Sequence, residues 1–140
     1  MKDVRFRAWV YDPDLEEYVM KDVAKLDFYL DTFEISMVYT LATVQRKPTE
    51  FTFVPYDIKD VILMQDTGLK DKNNKKIYDG DIVKITLTET QKTRRGEVIY
   101  YDDNACYLVK TANEEYFTFM SADICEIEVL DNKYENKGLV

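Results

Sequence analysis

No histidine occurs among the 140 residues of the chain. Its absence removes the commonest general base and the commonest transition-metal ligand. Ser-His and Cys-His nucleophile pairs are excluded outright. Cysteine is scarce: Cys106 and Cys125 sit in separate apolar stretches with no CxxC spacing. Both are expected to be buried and reduced, and a disulfide between them requires neighbouring strands in a suitable geometry. Neither a P-loop nor a GxGxxG pattern occurs, so no phosphate cradle is indicated. No run approaches the roughly 20 apolar residues of a membrane span. The opening MKDVRFRAWV has no apolar signal-peptide core, and the cytoplasm is the expected compartment. There is no internal repeat and no low-complexity segment.

What is present is apolar and aromatic. Hydrophobic residues make up 46% of the chain, with 11 Tyr, 7 Phe and 1 Trp, too many for a disordered chain. The length suits one domain, and a chain of this size buries about two thirds of the surface it exposes when unfolded. The formal net charge is −8, from 19 basic and 27 acidic residues, which disfavours a general polyanion-binding surface. The charge is uneven. Between Ile82 and Arg95, Lys84, Lys92, Arg94 and Arg95 stand against Glu89 alone; between Gly96 and Asp131, nine carboxylates stand against Lys110 alone. Solvated strand faces account for such a pattern. It also fits an anion or nucleic-acid contact beside an acidic protein-docking face.

Alternation dominates the pattern. Val4, Phe6, Ala8 and Val10 take one side of a predicted strand, and Arg5, Arg7, Trp9 and Tyr11 the other. Tyr11-Asp12-Pro13-Asp14 reads as a turn, with Glu17 to Met20 returning as a hairpin arm. Val19 to Leu41 carries apolar residues at helical spacings, Leu30 and Phe33 among them, yet its β-branched and aromatic content favours strands. Arg46 to Pro55 is the best candidate hinge, and Pro55 is read as ending a short apolar run. Thr67 to Lys76 reads as a hairpin or tight loop, and Gly80 turns the chain into a strand with Val83, Ile85 and Leu87 inward. Thr88 to Arg95 is a predicted loop. Strands follow at Glu97 to Tyr101, Ala105 to Lys110 and Tyr116 to Met120, then at most one helical turn at Ser121-Ala122-Asp123, then a last strand through Cys125, Ile127 and Val129. The expected fold is mainly β: a small multi-sheet domain with a partial SH3-like barrel and little helix. Residues 1–140 form one unit, with a barrel-like core over about 56–130 and an N-terminal β segment over about 1–45 packed on it.

Four stretches stand out together: Arg5-Phe6-Arg7-Ala8-Trp9, the run Met64 to Asn73, Ile77-Tyr78-Asp79-Gly80-Asp81-Ile82-Val83, and Tyr134-Glu135-Asn136. In combination they resemble the YopX family, small proteins carried by phages and prophages of mainly Gram-positive bacteria. The match spans nearly the whole chain in the family's order. It departs at Asp66, where an aromatic is usual, at Asp131-Asn132, which replaces Gly-Asn, and at Lys137-Gly138, where a proline is common. The resemblance implies a mainly-β fold with a partial barrel, phage origin and residence in the bacterial host cytoplasm. It implies no activity and supplies no catalytic or binding residues.

Read physically, the motif residues specify structure. Gly68 and Gly80 suit backbone positions that a Cβ disfavours. Asp79 and Asp81 can accept hydrogen bonds from nearby amides. Arg5 and Arg7 share a strand face with Trp9, where a guanidinium can lie on the ring. Asp66, Asp71, Asp79 and Asp81 surround one loop and are oxygen ligands of the type Ca²⁺ or Mg²⁺ takes, but lysines share the loop and the spacing is not that of an EF-hand. No catalytic residue, cofactor or metal is therefore assigned. The leading expectation is a non-catalytic accessory module that binds a host or phage protein, with self-association through edge strands also open. The alternative is a nucleic-acid module using Lys84, Lys92, Arg94 and Arg95, with Tyr100, Tyr101 and Tyr107 as stacking faces. A carboxylate enzyme is the remotest reading.

Overall fold

The computed structural model describes residues 4–44, 47–119 and 122–135. These residues are mainly β, with helix confined to single 3₁₀ turns at Ile58–Asp60 and Asp102–Asn104. The chain divides into two compact units, Arg5–Met64, and Gln65–Val140 together with Met1–Val4. Among the described residues no helix is long and apolar enough to cross a membrane.

In the N-terminal unit, β1 (Phe6–Asp12) and β2 (Glu17–Asp22) form an antiparallel hairpin with Tyr11 opposite Tyr18. The turn closes as its sequence dictates: the Asp12 carboxylate accepts the N–H of Asp14 at 2.9 Å and of Leu15 at 3.3 Å. Ala8 and Val10, on the face the alternation assigns inward, are fully buried. The ambiguous stretch after the hairpin is strand: β3 (Lys25–Phe28) pairs with β4 (Ile35–Val44), and β4 with β5 (Lys47–Asp57). Val38 of β4 joins Ala8 and Val10 in the core, with Val19, Leu26, Tyr56 and Leu63 packed around them. Residues 47–55 of the candidate hinge lie within β5, while Arg46 lies outside the described residues. Pro55 does not end the strand. It sits opposite Tyr39, and the sheet order β3-β4-β5 makes β5 an edge strand, where a missing N–H is tolerated.

β6 (Ile62–Lys70) carries the chain into the C-terminal unit, where its end pairs with β7 (Lys76–Tyr78). A five-stranded antiparallel sheet follows: β8 (Asp81–Leu87), β9 (Thr93–Tyr101), β10 (Cys106–Thr111) and β11 (Tyr116–Thr118) run as a meander, and β12 (Ile124–Asn132) returns beside β8. Ile77, Val83, Ile85, Val98 and Val109 form its core. Ile82 is also fully buried, so β8 is covered on both faces at its start, more than simple alternation predicts. The predicted loop over Thr88 to Arg95 is shorter than expected, because pairing of Thr93, Arg94 and Arg95 with Thr86, Ile85 and Lys84 draws them into β9. Ala122 and Asp123 form a turn, while Ser121 lies outside the described residues.

The cysteines differ from expectation. Cys106 is half-buried and Cys125 exposed, both as free thiols. Cys125 falls at a register shift in the β12–β8 pairing, between Ile124 and Glu126, and such a bulge re-aims the side chain it contains.

Candidate functional site

The four aspartates of the family-like motif are held by the backbone. Asp66, Asp71 and Asp81 are buried and Asp79 is half-buried. Asp66 accepts the Gly68 N–H at 2.8 Å, and its other oxygen lies 3.7 Å from Lys76 Nζ. Asp71 accepts three amides: those of Asn73 and Lys75 in its own loop and that of Val129 on β12, each at 2.9 Å. Burial alone pushes this carboxyl up, but the amides of Val129, Lys75 and Asn73 outweigh it and hold the group below its ordinary value. Asp79 accepts the Gln65 N–H at 2.6 Å, and Asp81 the Tyr78 N–H at 2.8 Å. Gly68 and Gly80 adopt φ of 85° and 86°, the left-handed region that the sequence assigned them. The Gly80 N–H donates to the Val98 carbonyl and the Gly80 carbonyl accepts from the Lys133 N–H, fixing this turn against β9 and the chain after β12. Among the described residues no cluster of three carboxylates or cysteines has the spacing to hold a metal. Of the C-terminal motif, Tyr134 and Glu135 donate their N–H groups to Asn132, while Asn136 and Lys137-Gly138 lie outside the described residues.

The basic segment is divided between the two faces of the sheet. Lys84 is 3.2 Å from Glu128, which Lys72 also contacts at 3.3 Å; the two ammonium groups hold the Glu128 carboxyl below its ordinary value. Arg95 is exposed and lies opposite Lys84, on the same sheet face. Arg94 points to the other face, with Nε 3.6 Å from Glu115. Lys92 is exposed in the β8–β9 turn. The tyrosines split in the same way. Tyr101 shares the Arg95 face, with Glu97 between them, whereas Tyr100 packs edge-on against Tyr107 at 5.1 Å on the opposite face.

Arg5 is exposed and Arg7 half-buried, on the strand face that carries Trp9. The Trp9 ring stacks on Tyr18 at 6.1 Å, and Tyr18 meets Tyr11 edge-on at 5.4 Å.

The surface that sequence reasoning missed lies on the N-terminal unit. Between β3 and β4 the chain turns through Tyr29-Leu30-Asp31-Thr32-Phe33-Glu34. Tyr29 and Glu34 are joined by an N–H to carbonyl bond of 2.8 Å, and the Phe33 N–H donates to the Tyr29 carbonyl at 2.9 Å. Side-chain oxygens of Asp31 and Thr32 accept the N–H groups of Thr32 and Glu34. The apolar side chains of this self-bonded loop point into solvent: Leu30 is 93% and Phe33 77% exposed, and Phe33 takes a φ of 61°. Neither the helical spacing nor the favoured strand reading of Val19 to Leu41 marks this turn. The signal available in sequence was local, an Asp-Thr pair of turn formers set among four large apolar residues. On the same sheet, Val38 faces the core, so the opposite face carries Tyr39, Leu41, Phe51 and Phe53. Phe51 and Phe53 are 62% and 54% exposed, with Tyr39 and Phe53 edge-on at 6.0 Å and the Lys25 ammonium 4.6 Å from the Tyr39 ring.

A family model described as YopX protein matches residues 5–140. Among solved structures, protein yopX from Bacillus subtilis is similar at a TM-score of 0.60 and 20% identity, covering 100% of this chain and 99% of that one. Protein EF1440 from Enterococcus faecalis is similar at a TM-score of 0.58 and 19% identity, covering 99% of both chains. No curated protein matches the chain.

Proposed function

The chain belongs to the YopX family, and from that premise we propose that it is a non-catalytic accessory module of phage or prophage origin that docks on a host or phage protein. The β3–β4 loop is the docking element. One observation carries this reading: Leu30 and Phe33 are held outward, 93% and 77% exposed, by a loop bonded to itself. Burying a Leu or Phe side chain is worth about 1.5–3 kcal/mol, so leaving both in water forgoes stabilisation that a partner can supply. A pre-organised loop also lowers the ordering cost of association. The net charge of −8 suits a partner with a basic rim.

The non-catalytic part rests on the missing histidine and on four motif carboxylates already engaged with backbone amides. The free thiols of Cys106 and Cys125 suit the reducing host cytoplasm. The meander β8 to β11 with β12 returning beside β8 is the arrangement that supports an SH3-like description. The nucleic-acid alternative has less support, since Lys84 and Arg94 each face a carboxylate and point to opposite sides of the sheet.

The test is affinity capture from host lysate with the wild-type chain and with a Leu30→Asp/Phe33→Asp variant. The expected result is a defined protein whose recovery falls about tenfold or more in the variant. Equal recovery by both removes the loop from the proposal.

A further inference from the structure

We propose that the free edge of β5 is the site of a symmetric homodimer, with the β5 strand of a second copy paired antiparallel about Thr52. This goes beyond the docking loop and does not depend on it, since it concerns a different element and a different partner.

β5 closes the sheet order β3-β4-β5, and Phe51 to Asp57 pair with β4 residue for residue, a register shift setting Pro48, Thr49 and Glu50 out of step at its start. Half of its backbone N–H and C=O groups point away from β4, and such an edge is a template for another strand. From Phe51 to Val54 the register is regular and no proline interrupts the row of donors, with Pro55 after it. The solvent side of this stretch is open, with Phe51, Thr52 and Phe53 all exposed.

The sequence of the stretch says which strand fits. In an antiparallel pair, directly opposite residues share a sheet face, so a two-fold pairing must centre on a residue and match even positions with even, odd with odd. Centring on Thr52 sets Phe51 against Phe53 of the second copy, twice, and Thr52 against its own copy. Aromatic and Thr–Thr cross-strand pairs are both favourable. Pro48 and Pro55 then fall opposite Tyr56 and Thr49 at the margins, where a missing N–H interrupts little. Moving the centre to Phe51 or Phe53 keeps one Phe–Phe pair and loses the other. Because Phe51 and Phe53 share the face of Tyr39 and Leu41, the four phenylalanines of the dimer extend one apolar stripe across both copies.

Sedimentation velocity of the full chain, from about 1 to 200 µM, brackets a weak homodimer and is expected to show concentration-dependent dimerisation. Phe51→Lys/Phe53→Lys shifts the chain to monomer with an unchanged circular dichroism spectrum. The register is read by cross-linking in a Cys106→Ser/Cys125→Ser background. With Thr52→Cys the two introduced thiols meet about 4.5–5.5 Å apart at Cα and form a disulfide under mild oxidation. With Glu50→Cys they lie about 13 Å apart along the strands and do not. A chain that stays monomeric at the highest concentration overturns the proposal. So does a dimer that the double lysine variant leaves intact, or one in which Thr52→Cys cross-links no faster than Glu50→Cys.

Discussion

The carboxylate of Asp71 accepts the backbone N–H of Val129 at 2.9 Å, 58 residues further along the chain. The same carboxylate closes its own loop through the N–H groups of Asn73 and Lys75, so one buried side chain fixes both a turn and the path of β12. The neighbouring Lys72 N–H donates to the Ile127 carbonyl, adding a second tie between the loop and that strand. Asp71→Ala leaves three amides without their acceptor, and the expected cost is roughly 2–4 kcal/mol. Hydrogen exchange at the Val129 amide is the specific readout: its protection falls in the variant more than that of strands β9 and β10.

The same residue sets an acid limb. Its folded-state carboxyl sits below the ordinary 3.8, so its contribution is fully present above that pH and is lost as pH falls through the folded value. Asp71→Asn is therefore expected to flatten the loss of stability below about pH 4, while being less stable than wild type at pH 7. Chemical denaturation at several pH values, followed by the exchange of β12 amides, checks both signs.

Gly96 is needed for space. A Cβ there meets Val109 Cγ1 at 2.5 Å and the Lys110 carbonyl oxygen at 2.8 Å, and backbone cannot move aside as a side chain can. Gly96→Ala is expected to destabilise the five-stranded sheet by about 1–3 kcal/mol, seen as a lower urea midpoint for the near-ultraviolet tyrosine signal.

Thr40 carries the opposite opportunity. It is fully buried, and its hydroxyl has no hydrogen-bond partner among the described residues. Thr40→Val keeps the shape and removes the stranded polar atom, so the variant is expected to gain up to about 1 kcal/mol. Trp9 fluorescence reports on this unit, because Trp9 lies on β1 between the core residues Ala8 and Val10.

Much of the fold was legible because it is local. The alternation of Phe6 to Val10, though not its predicted start at the exposed Val4, the Asp12-Pro13 turn and the positive φ at Gly68 and Gly80 follow from residue types within a few positions of each other. What was hidden depends on tertiary partners. Pro55 lies inside a strand because β5 is an edge, and Arg94 belongs to β9 because Ile85 stands opposite it. The aspartates carried a correct hint, amide capping, but Val129 as a partner of Asp71 is invisible without the fold. Cys125 faces solvent because of a bulge that periodicity does not encode. Leu30 and Phe33 were the least legible, since both the helical spacing and the favoured strand reading of Val19 to Leu41 run through them and only the bonded loop shows them exposed.

The basic segment yields a further expectation. Lys84 is paired with Glu128 and Arg94 with Glu115, on opposite faces, within an acidic chain. Titration with single- and double-stranded DNA and RNA at low salt is expected to show weak binding at most, and Arg94→Ala/Arg95→Ala is expected to change its salt slope by less than about one unit. Tight, steeply salt-dependent binding lost in that variant restores the nucleic-acid reading.

The docking claim is tested most directly by photo-cross-linking in host cells, with a benzophenone side chain substituted at Leu30, at Phe33 or, as a control, at Lys92. The expected result is a discrete heavier species from the first two positions, containing a protein other than this chain and absent from the control. No such species at Leu30 or Phe33, or an identical pattern from all three positions, contradicts docking through the β3–β4 loop.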